Sequence, residues 1–116
     1  MKQTWTVLTT KSDAEPWWFF EGWERDIVSE RKFESRQAAL DAFLEEMKAL
    51  KRQYPESKRK RENTIAFWNP EEISFCEACD DDLQLYHGLV IFEGNKPMDI
   101  HEEDIILEVN RTVGQV

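Results

Sequence analysis

A chain of 116 residues has room for one domain, residues 1–116, with a single hydrophobic core. Its 41% hydrophobic and 34% charged residues exclude a disordered or collagen-like polymer. The net charge of -9 is uneven: residues 1–61 carry 13 basic and 11 acidic side chains, and residues 62–116 carry two and 13. An acidic half this strong opposes nonspecific nucleic-acid binding, so any such role must rest on the first half.

The opening MKQTWTVLTTKSD has no apolar run of signal-peptide length, and no segment approaches the roughly 20 apolar residues of a membrane span. The expected location is the cytoplasm, where two cysteines are read as thiols or metal ligands rather than a structural disulfide. Asn110-Arg111-Thr112 matches a glycosylation triplet, which without secretion is a chance match.

Gln3 to Thr9 alternates, with Trp5 and Val7 on one face, and predicts a first strand. Residues 11–14 read as a turn. Pro16 opens the aromatic run EPWWFFEGWE, residues 15–24, in which Trp17 to Phe20 is read as a strand and Gly22 as the turn that follows. A short helix from Pro16 is the alternative, since Trp17, Phe20 and Glu24 would share one face. Ile27 to Phe33 is an edge or one-sided strand.

Ser35 to Tyr54 is the clearest element. Ser35 can cap its amino end, and Leu40, Phe43, Met47, Leu50 and Tyr54 recur at helical spacing. Lys48, Lys51 and Arg52 sit in the last turns, where the helix dipole favours cations, and Pro55 stops the helix. Residues 56–63, ESKRKREN, read as a charged loop. Thr64 to Trp68 is a short strand, and Asn69 to Glu72 turns into a strand from Ile73 to Cys76. Leu83 to Glu93 is the longest β-like run, closed by Gly94-Asn95. Ile105 to Val109 suits a last strand or a short helix. The pattern predicts an α+β domain with a mostly antiparallel sheet of about five or six strands packed on one main helix, residues 35–54.

Three segments resemble a known family: EPWWFFEGWERDIV (15–28), AFWN (66–69) and FCEACDDDLQLYHG (75–88). The chain resembles small uncharacterised proteins of Gram-positive bacteria, filed as domain of unknown function 1033. Members often carry a DNA-binding label. The resemblance implies a shared fold and brings no assigned catalytic or binding residues.

Four groups of residues are candidates for function. If Trp17 to Phe20 is a strand, Trp17 and Phe19 face one way and Trp18 and Phe20 the other, and a lone helix covers only one face. Exposed apolar surface costs about 25 cal/mol per Å², so the second pair needs a partner. Trp17, Trp18, Phe19, Phe20 and Trp23 then form either a partner-binding surface or core plus dimer interface. The flanking Glu15, Glu21 and Glu24 disfavour a polyanion there.

Cys76-Glu-Ala-Cys79 could supply two zinc thiolates, with His87 and His101 completing a set of four, or with a second pair from a twofold dimer. Glu77 and Asp80 to Asp82 disfavour a reactive thiolate and favour a bound cation, so metal outranks redox chemistry. Three adjacent acids do not match an EF-hand and suit a solvated turn.

Lys58, Arg59, Lys60 and Arg61, with Lys48, Lys51 and Arg52, form the concentrated basic segment. It could hold phosphates, although no helix-turn-helix, zinc finger or RNA-binding signature accompanies it. A solvated loop, or a partner for the acidic half, is the plainer reading. His87 sits in a strand-like run beside Gly88, where a bulge could re-aim side chains.

No Ser/His/Asp set, phosphate loop or G-x-G-x-x-G is present, so the sequence offers no reaction. It points to a non-enzymatic module that binds a macromolecule, as a homodimer or with a protein partner, through Trp17 to Trp23. Nucleic-acid association through Lys48 to Arg61 is the alternative, and zinc binding through Cys76 and Cys79 a further one.

Overall fold

The computed structural model describes residues 3–114. Eight strands and two helices follow one another: β1 (Trp5–Ser12), β2 (Ile27–Phe33), α1 (Arg36–Gln53), β3 (Glu56–Arg61), β4 (Thr64–Trp68), β5 (Ile73–Cys76), β6 (Asp81–Gln84), β7 (Tyr86–Glu93), β8 (Lys96–Pro97) and α2 (Glu103–Val113). A single 3-10 turn, Trp23–Asp26, precedes β2.

Six strands form one antiparallel sheet in the order β2-β1-β7-β4-β3, with β8 also on β7. β5 and β6 form a separate two-stranded hairpin. The fold is therefore α+β with a mostly antiparallel sheet, as the pattern of strands and one long helix predicts.

The alternation of β1, β4 and β7 sorts their side chains onto two faces. Val7, Ile65, Phe67, Leu89 and Ile91 meet Leu40, Phe43 and Met47 of α1 on the first face. α2 adds Ile105 and Val109 to the same core. α1 starts where Ser35, in extended conformation, accepts the Ala38 N–H on its hydroxyl at 3.2 Å. It ends before Pro55, with the Tyr54 N–H donating to the Leu50 carbonyl. The four-residue spacing of Ile105 and Val109, both buried, resolves the last element as a helix.

Several expectations are corrected. Residues 56–61 are a strand, not a charged loop: the inward position belongs to Arg59, which is buried, while Lys58 and Lys60 point out. Lys11 and Ser12 continue β1 instead of turning. Leu83 to Glu93 is two strands, because Leu85 leaves β6 and donates its N–H to the Glu72 carbonyl at 3.1 Å. Gly88 makes no bulge, since the β1–β7 register runs unbroken from Trp5↔Glu93 to Ser12↔Tyr86. Trp17 to Phe20 is neither strand nor helix. It is irregular chain between two turns, laid across the second face of the sheet.

Candidate functional site

The second face carries Leu8, Val90 and Phe92, three buried apolar residues with no helix over them. The segment between β1 and β2 covers them. Ser12 starts it by accepting the Ala14 N–H on its hydroxyl. Pro16 then drops onto the sheet above Gly88, where a Cβ would lie 2.5 Å from the Pro16 Cβ and 2.3 Å from the Thr10 hydroxyl. Only glycine leaves that space. Two turns follow, closed by Trp18 N–H to Glu15 carbonyl and Trp23 N–H to Phe20 carbonyl. Gly22, at φ 84, takes a left-handed conformation that bends the chain into the 3-10 turn.

These turns send the five rings to different places. Phe19 and Trp23 pack on Phe92 at 5.9 and 5.8 Å between centroids, and meet each other edge-on at 5.0 Å. Trp17 lies half-buried under the Lys58 ammonium. Trp18 and Phe20 stack at 6.2 Å and remain 48% and 60% exposed, with the Lys60 ammonium 4.8 Å from the Trp18 centroid. Lys58 and Lys60 of β3 thus share one surface with Trp17 and Trp18 of the aromatic segment.

Two hollows border the rings. One, of about 230 Å³, is lined by Trp17, Phe19, Lys60 and Arg61. The other, of about 300 Å³, is lined by Trp18 and Phe20 with Asp13, Glu15, Glu21 and Asp26. The exposed ring pair therefore has cations on one flank and a mostly acidic rim on the other.

The basic segment does not act as one patch. Lys48 pairs with Glu108 at 2.6 Å and Lys51 donates to the Ser57 hydroxyl, both away from Trp17 and Trp18. Arg59 turns to the first face. Its guanidinium donates to the Gly114 carbonyl at 2.8 Å and to the Asn110 side chain, and lies 3.5 Å from Glu62. That places a cation at the carboxyl end of α2, where the helix dipole favours one. The role was hidden in sequence, because a buried arginine and its exposed lysine neighbours look alike in a charge run. The alternation Lys58-Arg59-Lys60 was the available signal.

His87, Cys76 and Cys79 are not brought together. His87 bonds Glu72 at 2.7 Å and stacks on Tyr54 at 4.2 Å, while Glu72 also lies 3.8 Å from Lys11. Burial, with the Glu72 charge nearby, raises the Tyr54 hydroxyl above its ordinary value. Cys76 and Cys79 are joined as a disulfide at the tip of the β5–β6 hairpin, contrary to the expectation of thiols. Among the described residues no three His, Cys, Asp or Glu side chains are placed to share a metal ion. His101 is exposed beside Glu102, and Asp81 accepts the Asp82 N–H within the hairpin.

Sequence reasoning also missed Arg36, whose guanidinium ties α1 to Glu102 at 2.8 Å, Glu93 at 3.1 Å and the Asp99 carbonyl. The hydrogen bond from Arg36 holds the Glu102 carboxyl down to about 2. Asn63, buried in the β3–β4 turn, donates to the Met98 carbonyl at 2.7 Å.

Fold and surface define a small α+β domain, with two helices on one face of its sheet and an aromatic segment on the other. The chain belongs to the family described as protein of unknown function DUF1033, which it matches over residues 4–115. No curated protein and no solved structure matches it. Among the described residues no helix is long and apolar enough to cross a membrane.

Proposed function

We propose that this domain is a non-enzymatic binding module whose exposed Trp18–Phe20 pair docks on a macromolecule, and that the partner is a second copy of the chain. The observation that carries this is the division of the aromatic run. Phe19 and Trp23 pack on Phe92, Phe19 remaining 39% exposed, whereas Trp18 and Phe20 stack on each other, more exposed, between a basic flank and an acidic one. An apolar centre between opposite charges is self-complementary about a twofold axis: Lys60 and Arg61 of one copy face Glu15 and Glu21 of the other, and the reverse. Large aromatics at such a centre are the usual energetic anchors.

A complementary charge swap tests the reading by light scattering. Lys60→Glu and Glu21→Lys variants are each expected to dimerise less than the wild type, and their mixture is expected to recover dimer. A wild-type chain that stays monomeric at high concentration, or a mixture no better than its parts, ends the proposal.

Nucleic-acid association is the second reading, favoured by the Lys58–Trp17 and Lys60–Trp18 contacts, since single-strand binders combine stacking rings with cations. Oligonucleotide binding across a salt series decides it. Absence of binding at low salt removes the reading.

A further inference from the structure

The β5–β6 hairpin stands outside the main sheet. Its root is held by the Gln84 side-chain amide, which donates to the carbonyls of Asn69, Glu72 and Leu85 at 2.8, 3.0 and 3.0 Å. Cys76 pairs with Asp81 across the strands, Cys76 is half-buried and Cys79 exposed. Ile73 and Phe75 lie two residues apart on one face of the hairpin and are 50% and 58% exposed.

A disulfide in this place contributes little to the fold. It closes a sequence separation of three, and in the chain-entropy account stabilisation grows with loop length, so this loop gains least. The sheet core of Phe43, Phe67 and Leu89 lies in other elements. The bond is nevertheless open to attack at Cys79. The Cys79 N–H also points at the Cys76 sulfur, at 3.3 Å, where it can hold a departing thiolate.

The charge around the bond is one-sided: Glu77, Asp80, Asp81 and Asp82 all lie within the hairpin tip. These carboxylates disfavour thiolates on the protein, which favours the oxidised pair. They also repel anionic reagents and attract cationic ones.

We propose that Cys76–Cys79 is a reversible thiol–disulfide exchange site that selects cationic over anionic thiols. An incoming thiolate attacks the Cys79 sulfur, the S–S bond breaks, and Cys76 leaves as a thiolate beside the Cys79 N–H. A second incoming thiolate attacks the first reagent's sulfur in the mixed disulfide, releasing Cys79 and the reagent's own disulfide. Two reagent thiols are oxidised, the protein disulfide is reduced, and both cysteine thiolates take protons from water.

The test uses the full chain after air oxidation. It is treated with cysteamine (cationic), 2-mercaptoethanol (neutral) or 3-mercaptopropanesulfonate (anionic) at matched thiolate concentration, quenched with iodoacetamide and weighed by mass spectrometry. At low salt cysteamine is expected to react about tenfold or more faster than the sulfonate, with the ratio shrinking at high ionic strength. Replacing Glu77, Asp80, Asp81 and Asp82 by their amides should remove the preference. The reduced protein should keep its far-UV circular dichroism and recover its disulfide in air. Two alkylatable thiols in the air-oxidised chain, equal rates for the three reagents, or loss of the whole fold on reduction would each overturn the proposal.

Discussion

Gly88 decides where the aromatic segment sits, although it belongs to a different element. Its missing side chain is the seat for Pro16 and is flanked by Thr10 across the β1–β7 pair. Gly88→Ala must push Pro16 off the sheet or distort β7, and overpacking of this kind costs about 1–3 kcal/mol. The expected result is a lower urea midpoint together with a red-shifted tryptophan emission. A shifted midpoint without any change in emission would mean that the segment does not hang on this contact. Glu102 makes a second prediction at this scale. Arg36 holds its carboxyl at about 2, below the ordinary 4.5, so the folded state favours the carboxylate. The contribution is therefore complete above about pH 4.5 and is lost as pH falls from there towards about 2. Urea midpoints across that range should fall for the wild type and fall less for Glu102→Gln. Equal slopes would show that the acid limb belongs to other carboxylates.

At the scale of elements, α1 was legible from end to end, and β3 was not. Ser35, the apolar stripe and Pro55 act within one helix and need no knowledge of neighbours. Ser35→Ala should accordingly cost about 1 kcal/mol through the lost cap alone. β3 shows no apolar alternation, because its inward residue is an arginine whose Nε and Nη2 find their acceptors at the end of α2, some 50 residues later in the chain, while its buried Nη1 has no hydrogen-bond partner among the described residues. Charged outward residues on such an edge also guard it against pairing with other chains. The strand therefore reads as a loop until its partner is known. Lys58→Ala and Lys60→Ala should change stability by no more than about 0.5 kcal/mol. Arg59→Ala should cost about 1–3 kcal/mol, because it strands the Gly114 carbonyl and the Asn110 amide. Hydrogen exchange should then quicken at residues 110–113 first. Equal effects of all three substitutions would contradict a strand with one inward cation.

Across the whole molecule, the sheet has one face covered by helices and one by a segment too short to hide all its own rings. Counting faces in the sequence assumed a strand over Trp17 to Phe20, which the structure replaces with irregular chain between two turns, so the count could not sort the rings. Their sorting depends on Gly88 and Phe92, neither of which is near the rings in sequence. The structure separates the rings of the run EPWWFFEGWE into ones packed on Phe92 and ones stacked at the surface. Trp23 stacks on Phe92 over the second apolar cluster, so Trp23→Ala should cost about 3 kcal/mol, at the low end for large aromatics since the ring is only half-buried. Trp18 and Phe20 contact each other and Lys60 at the surface, so Trp18→Ser with Phe20→Ser should leave stability within about 0.5 kcal/mol at concentrations where the chain is monomeric. The same double variant should lose concentration-dependent association, read by sedimentation against the wild type. A double variant that unfolds would make the exposed pair part of the core. One that folds and associates unchanged would place the interface on another surface of the domain.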